Sequence, residues 1–241
     1  MRLTARNRKT VVFLAAAFAA WVVTIHRMRG MDEGPGTSLG GLGWYLGVWV
    51  TMTAAMMLPT ALPAARSAAG RGSRVPVLLF AAGYLGVWTA YGLVAYGLYR
   101  LVGAAGIDQL AWDRAGSYPA GAVIVAAGVY ELAPFKRESL RRCRSVLAAN
   151  ALRGGIVHGR DCVVCSGALM AVLFVLGVMS LFWMAVAAGA ILAEKVLPQG
   201  RRLVPALAVA LAVLGVWVAA SPGSVPGLTQ PPASPAMRME R

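Results

Sequence analysis

The sequence predicts an all-α membrane protein, a polytopic bundle of about seven transmembrane helices. Hydrophobic residues make up 59% of the 241 residues and charged residues only 13%, against about a quarter in a typical soluble domain. Apolar stretches near membrane-spanning length recur along the chain, and basic residues cluster between them. One such stretch would suit a buried helix of a soluble protein, but six or seven would not.

The first apolar stretch, residues 11–25, follows a basic tail and resembles a signal peptide. No clean small-residue cleavage site precedes His26 and Arg27, so the sequence favours retention of this segment as the first span. If it were cleaved, or if the apolar segment 162–193 were not a hairpin, six spans would remain.

Prolines mark the limits of the next three predicted spans. These spans cover about residues 42–63, 76–101 and 119–132. Pro59 and Pro63 are expected to end the second, and Pro134 to stop the fourth, because proline lacks the amide hydrogen that an α-helix needs.

Residues 162–193 are almost unbroken apolar sequence. A single helix of this length would rise about 48 Å, whereas the hydrocarbon core is about 30 Å thick. The length therefore predicts a hairpin of two short spans that turns near residues 177–180. The last span covers about 203–220, so residues 1–220 form one transmembrane domain, and the Pro- and Ser-rich tail, 221–241, is expected to be disordered.

Basic residues predict the orientation. With the N-terminus in the cytoplasm, 17 of the 23 Lys and Arg residues fall on the inside, including those of the 134–161 loop, and 6 fall outside. We therefore interpret the net charge of +14 as a consequence of basic residues clustering on the cytoplasmic side of the membrane. No basic stripe is interleaved with stacking aromatic residues, which excludes nucleic-acid binding.

A CxxC motif is the first candidate for chemistry. On a helix, His158, Cys162 and Cys165 share one face, and thiolate with imidazole suits copper or zinc. A second CxxC, which a structural zinc site would use, is absent from the sequence. Two alternatives stay open: the cysteines pack as small apolar residues, or the pair cycles between dithiol and disulfide.

Soft ligands also occur in two other segments. Cys143 lies in a dense basic run, where positive charge favours thiolate and where the alternative is an incidental cysteine in a positive-inside loop. Met52, Met56 and Met57 lie close together on the second span, and thioethers suit Cu(I). Their alternative role is apolar packing.

Two carboxylates, Glu131 and Glu194, are expected at the cytoplasmic ends of their spans, where ionisable groups are often functional or form simple boundary pairs. All of the cytoplasmic-end candidates come from separate segments and are predicted to converge at one depth. The thioethers that would continue a path towards the outer face are Met170, Met179 and Met184.

Several motifs follow one another in a fixed order. They are Ala55–Pro59, Tyr130–Lys136, Cys143–Arg144, His158–Gly159 before Cys162 and Cys165, Gly177–Met179, Trp183–Met184 and Glu194–Lys195. This order resembles a bacterial integral membrane family catalogued as predicted metal-binding membrane proteins, which looks to include membrane copper chaperones associated with tyrosinase-type copper oxidases. The resemblance covers about residues 44–200. It implies cysteines at two positions where this chain has Ser139 and Ser166, so fewer thiols are available here.

The sequence thus predicts a multi-pass protein of the bacterial inner membrane that binds Cu(I), with zinc as the other possible metal. Its expected partners are the lipid bilayer and a copper-dependent enzyme or a soluble copper carrier. We find no Ser-His-Asp set, P-loop or dinucleotide-binding fingerprint, so a bond-making enzyme is not predicted. The alternatives are a membrane thiol oxidoreductase that uses the CxxC and a non-catalytic scaffold.

Overall fold

The computed structural model describes residues 5–28, 39–68, 75–105, 116–144, 150–177, 180–197 and 200–226. Within these ranges the chain is helical, as predicted. The α-helices are α1 (Ala5–Met28), α2 (Leu42–Ala68), α3 (Val75–Ala104), α4 (Ser117–Glu131), α5 (Pro134–Arg144), α6 (Ala151–Leu176), α7 (Leu181–Val196) and α8 (Gly200–Ala220).

Five of these helices are long and apolar enough to cross a membrane, and a sixth span exists if the bent pair α4 and α5 counts as one. The described residues therefore give five or six candidate spans and do not clearly give the predicted seven. The reason is length: α4 has 15 residues and α7 has 16, whereas a perpendicular transmembrane helix needs about 17 or more.

The prolines of α2 do not end the helix, contrary to the prediction. Pro59 and Pro63 lie inside α2, which continues to Ala68. The hydroxyl of Thr60 donates to the carbonyl of Met57 over 2.8 Å, which gives the backbone beside the prolines an additional bond. Because α2 also packs against α1, α3, α6 and α7, neighbouring helices hold the segment in helical form.

Pro134 does end α4, as predicted, but the residues after it are not a loop. They form α5, which departs from α4 at an angle of 68°. Of the predicted 134–161 loop, α5 takes residues 134–144 and the first turns of α6 take 151–161. The inner side of α5 carries the buried residues Lys136, Leu140 and Cys143, spaced as one helical face.

A helix break occurs where the 162–193 segment was predicted to turn. Helix α6 ends at Leu176, Gly177 adopts a positive φ of 108°, and α7 begins at Leu181. The prediction that both halves would be short is wrong for α6, which starts at Ala151 and has 26 residues.

Glycines allow two pairs of helices to approach closely. A Cβ on Gly155 of α6 would lie 2.1 Å from the carbonyl oxygen of Phe80 in α3, and a Cβ on Gly83 would lie 2.5 Å from the carbonyl oxygen of Leu152. Such contact requires the absence of a side chain. Gly121 of α4 and Gly215 of α8 make the same kind of contact.

The C-terminal tail is described only as far as residue 226. A 3₁₀ turn covers Pro222–Ser224, and the indole nitrogen of Trp217 donates to the hydroxyl of Ser224 over 2.7 Å. The predicted disorder of the remaining tail concerns residues 227–241, which lie outside the described ranges.

Candidate functional site

The three cysteines are free thiols, and all are buried. Cys143 on α5 and Cys165 on α6 bring their sulfur atoms to 3.5 Å of each other. The sulfur of Cys165 also lies 3.3 Å from the hydroxyl of Ser166 and donates to the carbonyl of Cys162 over 3.4 Å. The structure therefore brings together two of the predicted soft ligands from different helices.

Cys162 contacts two polar side chains that come from other helices. The Lys195 ammonium donates to its sulfur over 2.7 Å, and the hydroxyl of Tyr84 forms a hydrogen bond with the same sulfur over 2.9 Å. Both side chains are buried. An ammonium group at this distance favours negative charge on the sulfur, whereas complete burial of the sulfur favours the neutral thiol.

This arrangement depends on the glycine contact between α3 and α6. Gly155 and Gly159 occupy one side of α6, spaced by one helical turn, and face the backbone of α3 around Phe80 and Tyr84. Because the two helices approach without intervening side chains, Tyr84 reaches Cys162 one turn further along α6.

Glu131 and Glu194 share one partner. The Lys136 ammonium contacts the carboxylate of Glu131 and lies 3.1 Å from both oxygens of Glu194. All three side chains are buried. We call these three residues the ion triad; it ties the end of α4 and the start of α5 to the end of α7.

Two adjacent residues of α7 thus connect the ion triad to the thiols. Glu194 pairs with Lys136, while Lys195 pairs with Cys162. The predicted boundary pair at the end of this span is instead a buried junction, because each member binds a side chain from a different helix.

His158 shares the buried side of α6 with the cysteines, as the helical spacing predicted. Its ring lies beside the stacked rings of Phe80 and Tyr84, at centroid distances of 5.8 Å and 5.6 Å. Its Nε2 atom is buried and has no hydrogen-bond partner. A buried imidazole nitrogen without a hydrogen-bond partner can bind a metal ion or form a hydrogen bond.

The methionines of the predicted path are buried as well. Met52, Met56 and Met57 on α2, Met170 on α6 and Met184 on α7 are each no more than 2% exposed and belong to the same core as the three cysteines. Met179 lies outside the described residues.

Among the described residues, no group of three or more His, Cys, Asp or Glu side chains is arranged to hold a metal ion. A structural zinc site requires about four such ligands. The cluster is instead rich in sulfur, with three thiols and a set of buried thioethers, and sulfur ligands are the ones that Cu(I) prefers.

Sequence reasoning did not identify Tyr84 or Lys136 as site residues. Tyr84 lies 78 residues from Cys162, and Lys136 lies 58 residues from Glu194. Lys136 belongs to the ordered motif Tyr130–Lys136, and this motif could have marked it as a site residue. Tyr84 had none, because aromatic residues are common throughout its span.

A family model described as "PpoB2: Copper chaperone" matches residues 46–218, which is more than half of the chain and runs from α2 to α8. No curated protein and no solved structure matches the chain. The match agrees with the family that the ordered motifs indicated and with the sulfur-rich core. The chain therefore belongs to the PpoB2 family of copper chaperones.

Proposed function

We propose that this protein binds Cu(I) within the membrane through Cys143, Cys162 and Cys165 and delivers it to a copper-dependent enzyme. The observation that carries the proposal is the 3.5 Å separation of the Cys143 and Cys165 sulfurs in a buried site. Two thiolates this close can bond one ion after a small adjustment. Cu(I) is satisfied by about two or three sulfur ligands, which zinc is not.

The remaining candidates support this site in different ways. Cys162, beside the Lys195 ammonium, serves as a third sulfur ligand. The unpartnered Nε2 of His158 and the thioethers of Met56 and Met57, which belong to the same core as the cysteines, are further candidate ligands. Glu131 and Glu194 act through Lys136, by fixing the position of α5 and therefore of Cys143.

Delivery requires that binding weakens along the path. Thiols are the stronger ligands and lie on α5 (Cys143) and near the middle of α6 (Cys162 and Cys165), whereas the thioethers of Met170 and Met184 lie further along α6 and on α7. We infer that copper enters at the thiols, on the cytoplasmic face of the bacterial inner membrane, and leaves outwards past Met170, Met179 and Met184. The charge distribution, with 17 of 23 basic residues inside, supports this orientation.

The alternative of a thiol oxidoreductase built on Cys162 and Cys165 has less support. Both cysteines lie in the interior of the continuous helix α6. Side chains at positions i and i+3 of a helix have Cβ atoms about 5–6 Å apart, whereas a disulfide needs about 3.5–4.5 Å. The pair would have to distort the helix to close.

A delivery assay tests the proposal. The full-length chain in vesicles is loaded with Cu(I) and offered a copper-free external copper enzyme, whose recovered activity is followed in time. Cys162→Ser with Cys165→Ser should abolish loading. Met179→Leu with Met184→Leu keeps the apolar volume, so it should preserve loading and slow delivery. Unchanged delivery by the Met-to-Leu variant would refute the outward path and leave only the inner site.

Reporter fusions placed after Arg144 test the orientation. They should be active only in the cytoplasm. Activity confined to the periplasm would refute the proposed direction of transfer, because it would place the thiols on the outer side.

A further inference from the structure

Two buried thiols from different helices lie close together. Cys143 and Cys165 have sulfurs 3.5 Å apart, and a disulfide bond would bring them to about 2.05 Å. The required approach is a shift of about 1.5 Å. Helix α5 is short, with 11 residues, and follows the bend at Pro134, so it is the element best placed to make this shift.

Cys162 is a poor partner for either cysteine. Its sulfur is already engaged by Lys195 and Tyr84, whose contacts pull it towards α7 and α3. Its helical spacing from Cys165 also opposes a bond within the CxxC. Oxidation of the three thiols should therefore select one of the three possible pairings.

We propose that Cys143 and Cys165 form a reversible disulfide that switches the copper site off under oxidising conditions. The oxidant is a peroxide, and the reductant is a dithiol. The disulfide removes two sulfur ligands from the site, because copper binds thiolates and a disulfide has none. The effect on copper rests on the proposed function, whereas formation of the disulfide does not.

The chemistry balances in two steps. The sulfur of Cys143, the more exposed of the pair at 8%, attacks one oxygen of hydrogen peroxide, the O–O bond breaks, and a sulfenic acid forms with release of water. The sulfur of Cys165 then attacks the sulfenic sulfur, the S–O bond breaks, and a second water leaves with the thiol proton. Two thiols lose two electrons, and the peroxide is reduced to water.

Reversal follows thiol–disulfide exchange. A dithiol attacks the sulfur of Cys143 through one thiolate, which releases Cys165 and leaves a mixed disulfide. Its second thiol then displaces Cys143 and carries away the disulfide. Cys143 is the natural point of attack because Cys165 is only 1% exposed.

The experiment uses the full-length reduced protein in detergent micelles, treated with stoichiometric hydrogen peroxide. Free thiols are then alkylated, and the digested chain is mapped by mass spectrometry. The expected result is a Cys143–Cys165 cross-link with Cys162 alkylated. Cys162→Ser should keep the cross-link, and Cys143→Ser should lose it. A cross-link that includes Cys162, or three alkylated thiols after peroxide treatment, would overturn the proposal.

Copper binding is measured on the same samples. The amount of Cu(I) bound by the oxidised protein should be lower than that bound by the reduced protein by about tenfold or more. A dithiol reductant should restore binding. Equal binding by the oxidised and reduced forms would refute the switch. If the cross-link forms and the reduced protein binds no Cu(I), the proposed function fails while the disulfide assignment stands.

Discussion

Lys195 donates a hydrogen bond to the sulfur of Cys162 over 2.7 Å, and this contact joins the end of α7 to the middle of α6. Within the described part of the chain, the ion pairs of this cluster involve Lys136 and not Lys195. A buried ammonium is costly unless a negative group compensates it. A thiolate on Cys162 would supply that compensation, whereas burial of the sulfur on its own favours the neutral thiol.

Replacing Lys195 with Met should reduce the reactivity of Cys162. A hydrogen bond to a charged group contributes about 1.5–3 kcal/mol, so the reaction of Cys162 with a thiolate-selective disulfide reagent should slow by about tenfold or more. The rate is measured in a chain whose other two cysteines are Ser. Lys195→Arg, which keeps the charge, is the control, and an equal rate in the Met variant would show that the ammonium does not act on the thiol.

The ion triad should be a main determinant of stability. Lys136→Met removes the cation that the buried carboxylates of Glu131 and Glu194 share, and breaking a buried ion pair in this way typically costs about 3–5 kcal/mol. Thermal unfolding in detergent should show a lower midpoint. Adding Glu131→Gln and Glu194→Gln to the same chain removes both charges and should recover part of the loss.

A Lys136→Met chain as stable as the wild type would contradict the ion triad's role. A triple variant no more stable than the single one would also count against it, since relief of the charge imbalance is the expected cause of recovery.

The glycine contact between α3 and α6 should tolerate no side chain. Gly155→Ala places a Cβ 2.1 Å from the carbonyl oxygen of Phe80, so the helices must separate at a cost of about 1–3 kcal/mol. Gly97→Ala is the matched control on α3, because a Cβ there meets nothing within 4 Å. It should stabilise the helix by up to about 1 kcal/mol. Equal unfolding midpoints in the two variants would contradict close packing at Gly155.

Ser166 offers a way to strengthen the site. Its hydroxyl lies 3.3 Å from the sulfur of Cys165, so Ser166→Cys would add a thiol beside the existing pair. Competition with a Cu(I)-selective chelator should show tighter binding. Ser221→Cys, at an exposed position outside the cluster, is the control for a thiol added elsewhere. Similar affinities in the two variants would argue against a copper site at Cys165.

Hydropathy located the long helices because a helix able to cross a membrane requires continuous apolar sequence. Helices α3 and α8 appear near their predicted limits, whereas α1 and α2 extend beyond theirs. It failed at α5, whose composition is mainly charged, so that the segment looked like a cytoplasmic loop. The spacing of its buried residues is what marks the segment as a helix. Which residues are buried is known only once the helices that pack against α5 are known.

The thiols of the candidate site could be identified from the sequence, whereas the side chains that pair around them could not. Cysteine and histidine are rare in this chain, so Cys143, His158, Cys162 and Cys165 stood out. The pairing of Lys136 with Glu194 and of Tyr84 with Cys162 depends on how α3, α5 and α7 pack around α6. Contacts over 58 and 78 residues leave no trace in local spacing.

The central claim, that this chain holds Cu(I) through its thiols, is tested most directly by metal stoichiometry. Copper and zinc are measured in the purified, reduced full-length chain after incubation with each metal, with and without Cys143→Ser, Cys162→Ser and Cys165→Ser combined. We predict about one Cu(I) per chain, no matching zinc, and loss of most copper in the triple variant. Equal copper in the wild type and the triple variant, or no copper in either, would contradict the claim.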